Sequence, residues 1–496
     1  MDRLRLSAWM GHLLQTDRRY RLTARLFLRL LALVYLAAFV SAVLEITGLV
    51  GEEGILPVGE QLDRLEQHLG WLAWIRCPTL FWIDAGDDSL FAVALAGCLF
   101  SVALLLNVLP RLSLVLLFVL YLSLFHAGQL FMNFQWDFML LGTGFLAIFL
   151  PWGSPVVVWL MHWLLFRVRF QSGVAKLMSG DESWKGFTAL NYYFETQPIP
   201  HMGAWFAHQL PEWLLRAGTG WTFFVELLVP FLVFLPRRPR FVAAWLTIVM
   251  QLMIMATSNH NFFNLLTILL CLLLFDDQAV KAVAGGRWLV RLGERIPRPG
   301  RLANAIALLL AAVIVSTSTT MMWAVWTKRD LPAVMDKPVR WAVQWHLINN
   351  YHVFPVITTQ RPELVVISDA HYSEVMQMAM QAGARDYLVW DQAGEALLPS
   401  LNGIAADLRS GPEFHHGKLI AVIKAIVSSA AIPDLVSSPL ILTCTRICWI
   451  LSTLAACLSS SRASLSESTE CIKSKSLTAY LALFDCRCPI KCQLTG

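Results

Sequence analysis

The residues best suited to chemistry lie in one polar interruption between apolar segments, residues 170–200. Lys176 follows an apolar run, and Glu195 stands among aromatic residues. A lysine near membrane depth can be driven towards its neutral form by loss of hydration, as base catalysis requires. Two interpretations stay open. Lys176 and Glu195 could act as acid and base on a substrate, or Glu195 could be an ion-pair anchor for Lys176 that docks the loop on the rest of the protein.

The same stretch ends in an aromatic and proline-rich exit. Pro198 and Pro200 fix φ and bias the preceding residues to extended backbone, so the exit cannot continue a helix. Trp184 is expected at the membrane interface. A rigid loop that presents aromatic side chains would suit an unfolded or partly assembled partner protein. The residues predicted to form this client-binding surface are Trp184, Tyr192, Tyr193, Glu195, Thr196, Gln197, Pro198 and Pro200.

Polar residues also interrupt apolar segments elsewhere, at Gln135, Asp137, Glu226, Asn261 and Asn264. Asp137 is expected to cap the first turn of its helix. Glu226 is an intramembrane carboxylate and hence a functional candidate, with pairing to a nearby base as the alternative. The two asparagines are expected to satisfy backbone groups where two helices meet.

Two further features of the side-chain pattern concern cations. Arg167 is expected to extend its guanidinium towards lipid phosphates, as long basic side chains do near membrane surfaces. The alternative is a local partner or a functional role. No Cys/His spacing is typical of zinc, and no cofactor-binding motif stands out. The sequence therefore predicts neither a metal nor a cofactor.

Composition determines the class of protein. Of the 496 residues, 57% are hydrophobic and 15% are charged, whereas soluble proteins have about 45–50% and about 25%. The apolar residues fall in several separate runs, which predicts an all-α polytopic membrane protein in contact with membrane lipids. A net charge of +5 without a basic patch gives no reason to expect nucleic acid as a partner.

Nine transmembrane helices are predicted, at 26–46, 89–109, 111–131, 137–152, 155–170, 220–236, 240–258, 260–275 and 302–326. Six arginines precede residue 26, so residues 1–25 are predicted to be cytoplasmic. Because successive spans cross the membrane in opposite directions, the connections alternate between its two sides. This alternation places loop 171–219 on the lumenal or periplasmic side. The segment 327–366 follows the bundle, residues 26–326, on that same side.

Several blocks in order along the chain resemble the lipase maturation factor family. They include GLVGEEGILP (48–57), QWDFMLLGTGFLAIF (135–149), WKGFTALNYYFETQPIP (184–200) and INNYHVFPVITTQRPE (349–363), and cover about residues 20–366. Gly142 stands where the family usually has Glu. The resemblance implies a membrane protein that assists the folding and assembly of secreted lipases. It would lie in the endoplasmic reticulum of a eukaryote, or in the cytoplasmic membrane of a bacterium.

A shorter segment, SGVAKLMSGDESWKG (172–186), is similar to vitamin K-dependent carboxylases. In those enzymes a lysine at the position of Lys176 is implicated as the catalytic base. This similarity keeps open a second interpretation, a membrane enzyme that acts on a lipid-soluble substrate. A folding factor without enzymatic activity is the interpretation favoured by the longer resemblance.

The C-terminal part differs in character. Residues 367–406 resemble the back half of a response-regulator receiver domain, with alternating strands and helices, and the fragment extends over 367–433. The half that would carry the phospho-accepting aspartate is absent, so no signalling role is predicted. Residues 434–496, rich in Ser and Cys, are typical of a frameshift or fusion product as much as of a domain.

Overall fold

The computed structural model describes residues 20–197, 200–284 and 300–359, together with three short strands between residues 363 and 425. The chain divides into two compact units. The first is Met1–Asn191 with Met202–Ile357, and the second is Tyr192–His201 with Thr358–Gly496. The domain limits predicted at 326, 366 and 433 remain predictions.

The first unit is built from helices in sequence order. Its α-helices are α1 Arg21–Val50, α2 Val58–Leu69, α3 Leu72–Arg76, α4 Asp87–Leu105, α5 Pro110–Ala127, α6 Gln135–Ala147, α7 Pro155–Met178, α8 Glu182–Lys185, α9 Ala189–Thr196 (which continues into the second unit), α10 Met202–His208, α11 Glu212–Phe223, α12 Arg237–Thr257, α13 Phe263–Leu272, α14 Asp277–Ala284, α15 Arg301–Thr327 and α16 Ala333–Gln344. Short 3-10 helices cover Leu80–Trp82, Gln129–Met132, Leu150–Trp152 and Val229–Phe234, and a π-helical turn covers Phe224–Leu228.

Six stretches of this unit are long and apolar enough to cross a membrane. They are Arg21–Val50, Asp87–Leu105, Pro110–Ala127, Glu212–Phe234, Arg237–Thr257 and Arg301–Thr327. A seventh is the bent pair Phe263–Leu272 and Asp277–Val283, which turns by 110°. The prediction of an all-α polytopic membrane protein is confirmed.

The predicted count of nine spans is not confirmed, since the described residues give six or seven. The run 137–152 becomes α6, a 13-residue helix that measures about 20 Å at 1.5 Å per residue, against a hydrocarbon core of about 30 Å. The run 155–170 lies in the 24-residue α7, which is long enough but carries two arginines and a lysine.

Polar contacts gather at the two ends of the bundle. At one, the basic end, the backbone N–H of Arg21 and of Thr23 donate to the Asp277 carboxylate at 3.0 and 2.9 Å. Arg237 Nε also donates to Asp276 Oδ2 at 2.7 Å there. The starts of α1 and α12 are thereby joined to the start of α14 and to the residue before it.

The opposite end, to which α1 runs, consists of the connections 51–57, 128–134, 179–188 and 344–357, and we call it the loop-rich end. Gln129 Nε2 donates to Leu56 O at 2.9 Å, and the Ile357 N–H donates to Asp181 Oδ2 at 2.6 Å. These bonds tie segments that are far apart in sequence into one layer above the helices.

The second unit contains a three-stranded parallel sheet, with strands β1 Glu363–Ser368, β2 Ala384–Val389 and β3 Ile420–Ala425 in the order β2-β1-β3. Strands of this kind were predicted for the receiver-like fragment, although β1 begins before residue 367. The helices predicted between the strands, and the whole of 434–496, lie outside the described residues.

Candidate functional site

A buried carboxylate with two cations forms the centre of the site. Lys176 Nζ lies 2.8 Å from Glu226 Oε2, and an Arg169 terminal nitrogen lies 3.2 Å from Glu226 Oε1. All three side chains are about 3% exposed. Each oxygen of Glu226 therefore has its own positive partner, and the cluster holds one positive charge in excess.

Two local features of the chain position these three side chains. Arg169 and Lys176 stand seven residues apart on α7, so they share one face of that helix. Glu226 lies on the π-helical turn Phe224–Leu228, where α11 passes into a 3-10 helix. Pro230 explains the break, because proline has no N–H to donate to the carbonyl four residues earlier. Single π-helical turns of this kind are frequent at functional sites.

Gly173 lets the two elements approach each other. A Cβ atom at this position would lie 2.9 Å from the Glu226 Cβ and 2.8 Å from a terminal carbon of Leu227. Only glycine leaves room for such a contact. The ion cluster and the close helix contact therefore depend on one another.

The remaining contacts of Lys176 are also with protein groups. Nζ donates to Val353 O at 2.7 Å and lies 5.3 Å from the centre of the Trp184 ring. The structure thus assigns Glu226, rather than Glu195, as the carboxylate partner of Lys176. For Glu226, it shows the pairing with bases that was one of the two alternatives.

Trp184 was predicted at the membrane interface and on the client-binding surface, and both predictions are wrong for its side chain. The indole is 3% exposed, covers the Lys176 ammonium, and meets Phe223 edge to face with ring centroids 5.5 Å apart. Attraction between a desolvated cation and an aromatic face is the physical reason for this placement.

Arg167 is also buried, so the expected extension to lipid phosphates is wrong. The side chain is 1% exposed; one terminal nitrogen donates weakly to Asn349 O at 3.5 Å, and the guanidinium lies 5.6 Å from the centre of the Tyr351 ring. The backbone N–H of Tyr351 in turn donates to Gln171 Oε1 at 3.2 Å. The segment around residues 349–353 covers this face of α7 and keeps it from lipid.

The same segment also contacts α6. Asn349 Nδ2 donates to Phe138 O at 3.2 Å, and the His352 N–H donates to Gln135 Oε1 at 3.3 Å. Burial lowers the pKa of His346 to about 4, against the effect of its bond with Asn349, so the imidazole is neutral at pH 7. Sequence reasoning missed this role of residues 346–353, for which the adjacent polar residues in INNYH were the available signal.

The other predicted polar residues have separate surroundings. Asp137 is buried; it accepts the Tyr121 hydroxyl at 2.6 Å and the Phe134 N–H at 3.3 Å, at the first turn of α6. Asn261 adopts a positive φ of 53° and accepts the Phe262 N–H at 2.9 Å. Asn264 Oδ1 is buried, and no hydrogen-bond partner for it occurs in the described part of the chain.

The rest of the predicted client-binding surface belongs to the second unit. Tyr192, Glu195 and Pro200 are exposed, and Tyr193 is half-buried. Thr196 Oγ1 donates to Thr358 O at 2.6 Å, and the buried Gln197 donates to Phe194 O at 3.3 Å. Pro198 lies outside the described residues. Within residues 20–197, 200–284 and 300–359, no group of three or more His, Cys, Asp or Glu could hold a metal ion.

Comparison with known proteins gives one family. A family model described as the lipase maturation factor transmembrane domain matches residues 22–282. No solved structure matches the chain. The matched region runs from the second residue of α1 into α14. It therefore includes every residue of the Arg169, Lys176 and Glu226 cluster.

Individual relatives agree with the family match. Lipase maturation factor 2 of Xenopus laevis is 45% identical over 282 residues, which is 53% of this chain and 40% of that protein. The human protein of the same name is 40% identical over 294 residues, covering 53% and 41%. Lipase maturation factor 1 of Bos taurus is 33% identical over 379 residues, covering 70% and 66%. The chain thus spans about two fifths of the first two relatives.

Proposed function

Because this chain belongs to the lipase maturation factor family, we propose that it is a membrane-embedded factor that assists the folding or assembly of exported lipases. The observation that carries the proposal is the family match over residues 22–282, which covers the helical bundle as far as α14 together with the buried ion cluster. The vertebrate origin of the relatives supports the endoplasmic reticulum membrane as its location.

The site supports this role through rigidity. Lys176 donates to Val353 O, and Asp181 accepts the Ile357 N–H, so the segment 349–357 is fixed to α7 and to the turn that follows it. Removal of one partner of a buried ion pair leaves a charge without compensation, so the cluster resists rearrangement. The loop-rich end is therefore a stable platform, which a protein that holds folding intermediates needs.

Residues of the family signature are the proposed client contacts. Tyr192, Glu195 and Pro200 are exposed and combine an aromatic ring, a negative charge and a rigid backbone. An extended or partly assembled chain offers complementary apolar and polar groups to such a surface. Membrane lipids are the other partners of the bundle.

The enzyme interpretation receives no support from the contacts of Lys176. A general base needs hydrogen-bond access to the proton that it removes. The Lys176 ammonium instead donates to Glu226 and Val353 and faces Trp184. The comparisons with known proteins likewise favour a maturation factor over a carboxylase.

The test is secretion of active lipase from cells that lack the endogenous maturation factor. We expect the unsubstituted chain to restore secretion, and Glu195→Gln to reduce it while the amount of chain stays unchanged. Glu182→Gln is the matched control, because that carboxylate is exposed and lies 2.7 Å from the Lys185 ammonium, three residues along the chain. Failure of the unsubstituted, correctly located chain to restore secretion would overturn the proposal.

A further inference from the structure

The short helix α10 buries its small side chains and exposes its large apolar ones, the inverse of a helix that faces water. Ala204 and Ala207 are buried, with 0% and 6% exposure. Met202, Trp205 and Phe206 are instead 76%, 61% and 59% exposed. The Trp205 and Phe206 rings also contact each other, with centroids 5.0 Å apart.

Such an inversion is unfavourable at a boundary with water. Burial of a large apolar side chain is favourable relative to exposure, so a helix facing water turns its aromatic residues inwards. Exposed apolar clusters of this kind mark contact with a membrane or with another protein. The outward face of α10 is therefore expected to contact a membrane or another protein.

The surroundings of α10 favour the membrane. The helix packs against α12, whose Leu252 and Met253 are 52% and 53% exposed in the manner of a lipid-facing span. Trp213, next along the chain at the start of α11, is 69% exposed. The helix α10 thus packs against one stretch that is long and apolar enough to cross a membrane, Arg237–Thr257, and along the chain it precedes another, Glu212–Phe234.

A second short helix shows the same inversion. In α3, Ala73 is fully buried, while Trp74 and the preceding residue Trp71 are exposed. This helix belongs to the loop-rich end, where the Gln344 side chain donates to Ile75 O. A single partner protein would explain one patch, whereas a continuous layer around the bundle explains two patches on separate elements.

We propose that α10 lies in the interfacial layer of the bilayer at the loop-rich end, with Met202, Trp205 and Phe206 among headgroups and upper acyl chains. Tryptophan suits this layer because its ring is apolar and its N–H can donate to headgroup oxygens. The occupant of the surface is the phospholipid bilayer. Part of loop 171–219 is then seated on the membrane and is not available to a client.

Photo-crosslinking of the full chain in palmitoyl-oleoyl-phosphatidylcholine vesicles tests the proposal. A benzophenone amino acid replaces Phe206, and in a matched variant it replaces Gln67, an exposed residue of α2 with polar neighbours. Both sites are exposed, so both variants should elute with the unsubstituted protein. We expect phospholipid adducts by mass spectrometry from position 206 and none from position 67.

Two results would overturn the proposal. One is the absence of phospholipid adducts at position 206 when the probe has been consumed. The other is a polypeptide adduct in place of lipid when a secreted lipase is co-expressed, which would make this face a client-binding surface. As a second measurement, the variant with Trp205→Ala and Phe206→Ala should melt like the unsubstituted chain in detergent but at a lower temperature in the vesicles.

Discussion

Charge balance around Glu226 decides how its neighbours respond to substitution. Lys176→Met leaves one cation, Arg169, on the carboxylate, whereas Glu226→Gln leaves two buried cations without an anion. Removing one partner of a buried pair costs about 3–5 kcal/mol, and the second change leaves more charge uncompensated. We expect Glu226→Gln to lower the folded amount and melting temperature more than Lys176→Met, as measured by fluorescence-detected size exclusion in detergent.

Lys176→Arg is the control for this series, since it keeps the positive charge and the apolar stem. It should retain most of the folded protein and most of the lipase-assisting activity. Arginine cannot release its proton at physiological pH. An abundant, well-folded but inactive Lys176→Arg chain would therefore contradict a structural role and revive the enzyme interpretation.

Gly173 provides a steric prediction at the same site. Alanine there places a methyl group within 3 Å of Glu226 and Leu227, so Gly173→Ala should destabilise by about 1–3 kcal/mol, as overpacking does. Gly48→Ala is the matched control, because nothing lies within 4 Å of its Cβ position in α1 and alanine favours helix by about 0.5–1 kcal/mol. Equal melting temperatures for the two variants would mean that α7 and the π-helical turn are not in close contact.

The sequence alone could not identify the carboxylate that pairs with Lys176. Helical periodicity places Arg169 and Lys176 on one face of α7, and an isolated intramembrane carboxylate such as Glu226 calls for a base. Periodicity does not say which helices adjoin, and Lys176 and Glu226 are fifty positions apart. Glu195, closer along the chain, was therefore the more obvious partner.

Among the elements, the apolar runs located the helices well but their ends poorly. The run predicted to stop at residue 170 continues as α7 to Met178. The polar residues beyond 170 do not face water, because Gln171 and Lys176 bond the backbone of Tyr351 and Val353. A segment that follows the last span thus buries the final turns of an earlier helix, and local sequence cannot reveal that cover.

This covering segment gives a prediction about truncation. A chain ending after Glu363 keeps residues 349–357 and every contact described for Lys176 and Arg167. It should remain monodisperse in detergent with an unchanged melting temperature. A chain ending after Gln344 exposes both cations on α7 and should aggregate or yield little protein.

The comparison separates the roles of the two C-terminal stretches. Aggregation of the chain that ends after Glu363 would show that residues 364–496 are integral to the bundle. If the chain that ends after Gln344 were stable, the segment 349–357 would be dispensable, contrary to its bonds with Gln135, Gln171 and Asp181.

For the whole molecule, the two ends of the bundle make the membrane orientation testable. Connections 51–57 and 179–188 lie together at the loop-rich end, while Arg237 and Asp276 lie at the basic end. Basic residues favour the cytoplasmic side, so the loop-rich end is predicted to face the lumen. The exposed residues Glu53 and Glu182 represent this end, and the exposed Arg238 represents the other.

The test is labelling of an introduced cysteine by a membrane-impermeant maleimide in sealed microsomes. Three variants carry one new cysteine each: Glu53→Cys, Glu182→Cys and Arg238→Cys. The unsubstituted chain supplies the baseline for its 10 native cysteines. We expect extra labelling at position 238 in intact microsomes, and at 53 and 182 only after detergent, because the membrane shields the lumenal side. The reverse pattern would show that the bundle has the opposite orientation in the membrane, with the same connections still grouped at each end. Labelling of 53 and 182 from opposite sides would contradict the arrangement itself, since bonds between segments at the loop-rich end cannot cross a bilayer.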